Sequence, residues 1–142
     1  MSSKLNQTEK IKCFEFLERY AHDIEHNYGR YNWGSPLIDN FCRTKNINKK
    51  TKNNIRNLHY YFWFESHKMP SPLGNLNDTA YHFLRHIRNA IAHGLIKKER
   101  KMIIVQDFQK SRNGRVTTQT MQGQLLASDF WNFVDAVEST KQ

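Results

Sequence analysis

Two arginines, two histidines and an asparagine fall within the ten residues RHIRNAIAHG (85–94). Imidazole titrates near neutral pH and can take or return a proton. Guanidinium holds a phosphate and stabilises the charge that grows on it. Together these groups suit phosphodiester cleavage without a metal. A base takes the proton of an RNA 2′-hydroxyl, an acid protonates the departing 5′-oxygen, and arginine holds the phosphate between them. The candidate catalytic residues are Arg88 and His93, with Asn89 one helical turn before His93 to orient the imidazole or a phosphate oxygen. Arg85, His86 and His82 are candidate substrate contacts. Apart from Asp78 at its start, this helix face carries no carboxylate, which makes a two-metal mechanism unattractive; neither a metal nor a cofactor is expected.

On a helical wheel Ala80, Phe83, Leu84, Ile87, Ala90 and Ile91 share an arc of roughly 120° and form a core-facing stripe. His82, Arg85, His86, Asn89 and His93 are spaced by three or four residues on the opposite side and read as one outward polar face. Lys and Glu, the usual residues of a solvated face, are missing from 78–93. Arg88 departs from this pattern, lying about 140° round the helix from His93. A second copy of the helix, packed across a two-fold axis with the small Ala92 allowing close approach, would bring Arg88 and His93 of both chains into one cleft. The expected assembly is a homodimer through the helix 78–93.

The surrounding elements must position that helix. Apolar periodicity, Ser35-Pro36 and the stops at Gly29, Pro70 and Gly94 predict helices over about 8–28, 36–44, 50–69 and 78–93. The first is expected to turn Ile11, Phe14, Leu17, Ala21, Ile24 and Tyr28 inward, and Thr8 and Asp78 are plausible caps. A hairpin over about 101–121, turning at Asn113-Gly114, precedes a closing helix over about 129–139 that Ser128 caps. The expected fold is mainly α: one domain over 1–142, a helical bundle with one β-hairpin before its C-terminal helix.

With 142 residues, 38% apolar and 13% aromatic, the chain can bury one core. A net charge of +9 favours a polyanionic partner, RNA first. No apolar run is long enough to span a membrane, and the start MSSKLNQTEK does not read as a secretory signal, so a cytoplasmic protein with two reduced, buried cysteines, Cys13 and Cys42, is expected. The basic residues Arg43, Lys45, Lys49, Lys50, Lys52 and Arg56 either funnel RNA or form a solvated loop. The aromatic run HYYFWFESH (59–67) reads as helical core or dimer contact rather than a stacking platform, and Trp33 fits either stacking or loop anchoring.

Arg88-Asn89-Ala90-Ile91-Ala92-His93 resembles the R-x4-H motif of HEPN-domain ribonucleases, in the form where asparagine follows the arginine and glycine follows the histidine. The resemblance implies a HEPN-like bundle that dimerises through the motif helices. It implies a metal-independent endoribonuclease leaving a 2′,3′-cyclic phosphate, with Arg88, His93 and Asn89 as its motif residues. Such proteins act as toxins of toxin–antitoxin pairs or in phage defence, and any antitoxin or regulatory protein would be a separate chain. The alternative is a non-catalytic HEPN module that binds RNA, regulates or docks a partner.

Overall fold

A computed structural model describes residues 5–49, 59–65 and 75–142, of which 75–78 as backbone only. It corrects the expectation of a mainly helical bundle. The described residues form four α-helices against a five-stranded mixed sheet, an α/β fold. In chain order these are α1 (Gln7–His22), a 3₁₀ turn (Ile24–His26), α2 (Pro36–Thr44), β1 (Asn48–Lys49), β2 (Tyr61–Phe64), α3 (Asn75–Ala92), β3 (Ile96–Glu99), β4 (Met102–Lys110), β5 (Thr117–Leu126) and α4 (Ala127–Glu138). The sheet order is β1-β2-β5-β4-β3, with β1 parallel to β2 and the other neighbours antiparallel.

The largest correction falls on the third expected helix. Its described part is the strand Tyr61–Phe64, while 50–58 and 66–69 lie outside the described residues. Four consecutive aromatics suit a pleated, buried surface better than a helix. The strand also finds a partner that only it can use. Phe62 lies opposite Gly123 of β5, where a Cβ would collide with the Phe62 ring. That ring stacks on Phe133 of α4 at 5.3 Å and meets Phe83 of α3 edge-on at 5.1 Å. Trp33 joins the same cluster, 5.3 Å from Phe64 and 5.5 Å from Phe83, and anchors its loop to the core.

The expected hairpin is the middle of this larger sheet. Its turn is a four-residue loop closed by Ser111 N–H to Val116 O, with Gly114 at φ 71°. α4 begins at Ala127 without a side-chain cap, so Ser128 lies inside it. At the other end of the chain, α1 is capped by Asn6, whose side chain accepts from Glu9 N–H. The helix ends at His22, well short of residue 28, because the chain turns into the 3₁₀ segment. Cys13, Phe16 and Tyr20 are its buried apolar residues, whereas Ile11 and Phe14 are exposed. Apolar residues occur on two faces of α1, and docking against α3 selects the face the spacing alone did not favour. A bidentate Arg19–Glu138 pair, both bonds 2.9 Å, ties α1 to α4.

For the candidate site, the important contact is α3 against β4. Ala80, Phe83, Leu84, Ile87 and Ala90 of the stripe the wheel defines are fully buried, and its sixth member, Ile91, is half-buried against the core. α3 ends where Gly94 takes φ 69°, with Gly94 N–H on Ile91 O and Leu95 N–H on Ala90 O. This paired cap stops the helix one residue before His93 and leaves that imidazole in the turn.

Candidate functional site

The polar side of α3 does not face water along its length. His82 and His86 are buried, contrary to the expected outward face, while Arg85 and Arg88 are exposed and Asn89 is half-buried. The wheel is right about which residues are polar together. It misjudges what covers them, because the sheet supplies polar partners of its own.

His86 shows how. Its Nδ1 lies 2.8 Å from Asp107 Oδ2, and its Nε2 lies 2.8 Å from the carbonyl oxygen of Glu65. Both partners are acceptors, and each ring nitrogen faces one of them. Asp107, only 3% exposed, also accepts from Asn89 Nδ2 at 3.2 Å and, through Oδ1, from its neighbour's Phe108 N–H at 2.9 Å. Asn89 passes the chain outward: its Oδ1 accepts from Arg88 Nη1 at 2.9 Å. A continuous path of hydrogen bonds thus runs from the backbone just after β2 through His86, Asp107 and Asn89 to an exposed guanidinium.

Asp107 is the residue that sequence reasoning missed. It follows Ile103 and Val105 at alternate positions of β4, on the face that packs against α3, so the period-two pattern puts a carboxylate in a core stripe. A buried carboxylate demands donors, and that demand was the available signal. The backbone is also irregular here. Asp107 pairs with Met121 and Phe108 with Gln119, so Thr120 is an extra residue on β5. The Thr120 carbonyl accepts from Glu65 N–H at 2.9 Å, and the Glu65 carbonyl faces His86, joining β5, β2 and α3 at one corner.

Beside this corner a cleft of about 330 Å³ opens between α3 and the bulged strands. Arg85, Asn89, Phe108, Gln109 and Thr120 are among its walls, with His86 and Asp107 beneath. His93 is exposed in the turn after α3, its N–H bonded to Asn89 O at 3.0 Å. The site therefore brings Arg88, Asn89 and His86 into one network through Asp107. His82 and Arg85 are cleft residues outside it, and His93 joins through backbone alone.

The basic stretch is partly occupied. Lys45 pairs with Asp129 at 3.6 Å and Lys49 with Asp39 at 2.9 Å, while Lys50, Lys52 and Arg56 lie outside the described residues. Lys110, Arg112 and Arg115 stand exposed around the hairpin tip. Burial pushes the Cys13 and Cys42 thiols up to about 11, which makes them poor nucleophiles at neutral pH. Among the described residues no group of three acidic, histidine or cysteine side chains could hold a metal ion, and no helix is long and apolar enough to cross a membrane.

A family model described as HEPN pEK499 p136 matches residues 3–140. No curated protein and no solved structure matches the chain.

Proposed function

The chain belongs to the HEPN pEK499 p136 family, and from that membership we propose that it is a metal-independent endoribonuclease, working as a homodimer through α3. The observation that carries this reading is Arg88. Its guanidinium is exposed to solvent yet held by Asn89, which is held in turn by buried Asp107. A cation fixed in direction but open to a ligand is what phosphate binding needs. His93 follows one turn after Asn89, and two copies of α3 would supply two imidazoles to one cleft.

In the proposed reaction one His93 takes the proton of the 2′-hydroxyl as that oxygen forms its bond to phosphorus. The P–O5′ bond breaks, and the partner copy's imidazole gives its proton to the leaving 5′-oxygen. The products are a 2′,3′-cyclic phosphate and a 5′-hydroxyl. Arg88 stabilises the charge on the non-bridging oxygens throughout, and each imidazole regains its starting state by exchange with water. A role in a toxin–antitoxin pair or in phage defence, with any antitoxin a separate chain, is part of the same reading.

The test is cleavage of RNA by the purified protein in EDTA, with product ends mapped. Arg88→Ala and His93→Ala should each abolish cutting while melting as the wild type does. Undiminished cutting by either variant would remove that residue from the mechanism, and retained dependence on added metal would remove the mechanism itself.

A further inference from the structure

The cleft between α3 and the bulged strands has no part in the bond-making steps, yet it adjoins them. Asn89 forms its wall on one side and holds Arg88 on the other. Its remaining walls are unlike in character. Phe108, 39% exposed, is the aromatic residue among the walls named above. Arg85 and Gln109 contribute donors, and Gln109 an acceptor as well. The Asp107 carboxylate beneath is already engaged by His86, Asn89 and Phe108 N–H, so it presents little unpaired negative charge to an incoming ligand. The register shift at Asp107/Phe108, with Thr120 the extra residue on β5, falls at this same place.

We infer that this cleft is a subsite for one unpaired nucleobase of the RNA, with Phe108 as its stacking face and Arg85 and Gln109 reading its edge. This rests on the ribonuclease reading for what the base belongs to. A base offers an aromatic face to Phe108 and ring nitrogens and carbonyls to the donors. A recess of about 330 Å³ suits a small ligand such as a single nucleoside and excludes a duplex. With its base seated here, a nucleotide's phosphate passes over Asn89 towards Arg88. The bulge thereby couples base choice to the position of the scissile phosphate.

The probes are the four nucleoside 3′-monophosphates, titrated separately into the isotopically labelled protein and followed by backbone and Arg Nε–H NMR shifts. The expected result is a set of shifts centred on Phe108, Gln109, Thr120 and Arg85 that differ among the four bases. Phe108→Ala should weaken that binding by about tenfold or more, the size of a lost base–aromatic stack. Shifts reproduced by inorganic phosphate alone would overturn the subsite, as would base-dependent shifts indifferent to Phe108→Ala or a cleft silent at millimolar nucleotide. The two readings fail separately. Cleft binding by a protein that cuts no RNA would sink the ribonuclease reading and leave the base site standing, whereas RNA cutting with a silent cleft would do the reverse.

Discussion

Replacing Asp107 by asparagine exchanges one oxygen for an amide nitrogen at nearly constant volume, so packing is preserved and only hydrogen bonding is disturbed. In the native site Oδ1 accepts from Phe108 N–H, and Oδ2 accepts from both His86 Nδ1 and Asn89 Nδ2. If the new amide keeps its oxygen on Phe108 N–H, its NH2 group faces two donors. His86 can escape by accepting at Nδ1 and donating from Nε2 to the Glu65 carbonyl. Asn89 has no such escape. It must turn its amide over, which directs its NH2 group at the Arg88 guanidinium and breaks that bond too. The contacts of residue 107 with His86 and Asn89 then persist as neutral bonds of reversed direction, so the loss is the charge assistance of both together with the exposed Arg88–Asn89 bond. We place the cost at about 2–3 kcal/mol, below the value for a buried pair broken outright. At roughly 3 °C per kcal/mol for a chain of this size, the melting temperature should fall by about 8 °C. Asp107→Ala should cost more, because no acceptor remains for any of the three donors. Urea and thermal denaturation read the stability. Arg88→Ala is the control, since an exposed side chain should change stability by less than about 0.5 kcal/mol. On the proposed ribonuclease reading, RNA cleavage by Asp107→Asn should also drop, because Arg88 is no longer held. An Asp107→Asn protein within about 0.5 kcal/mol of wild type would refute the network as an energetic unit.

Two glycines should respond to alanine for different reasons. Gly94→Ala meets no atom within 4 Å, so it should cost only the left-handed backbone penalty, about 1–2 kcal/mol. Gly123→Ala collides with Phe62 in the centre of the core and should cost about 3 kcal/mol, partly recovered by adding Phe62→Leu; the reverse order of severity in urea denaturation would contradict the packing described. Cys13 and Cys42, with thiols pushed up to about 11, should resist iodoacetamide at mildly alkaline pH until the protein is unfolded, and rapid native labelling would speak against their burial. Desolvation also raises the Tyr20 and Tyr31 hydroxyls, so the folded chain keeps protons that the unfolded chain releases from about pH 9–10 upward. Stability should be intact below that range and decline as pH rises through it, seen as a falling urea midpoint; a midpoint that rises there would reverse the sign.

Local chemistry made some elements readable. Ser35-Pro36 announces the start of α2, and in the structure the Ser35 hydroxyl accepts from Leu37 N–H. Gly94 announces the end of α3 because only glycine takes φ 69° without strain. The sheet was harder to read because strand identity depends on a distant partner. Tyr61–Phe64 is a short apolar run that fits a buried helix or a buried strand equally by periodicity. What decides it is the bare backbone of Gly123, 61 residues later than Phe62, which leaves room for that ring. α1 shows the same limit. Ile11-Phe14 and Cys13-Phe16-Tyr20 are both regular stripes, and only the neighbouring α3 determines which is covered.

The candidate site shows how a residue list can be read without its arrangement. A wheel sorts side chains by polarity and assigns the polar arc to water, yet His82 and His86 are covered. The arc is polar because the sheet corner opposite it is polar. Asp107 and the Glu65 carbonyl are acceptors that an apolar helix face would have left without donors. This divides α3 by depth. His86 is spent on structure, Asn89 stands half in and half out, and Arg88 is left to solvent. On an isolated helix an exposed arginine samples many rotamers and loses that freedom when it binds a phosphate. Here much of the loss has already occurred on folding, through Asn89 and Asp107. The burial that looked like an error in placing His86 is therefore the means by which Arg88 can be both exposed and aimed.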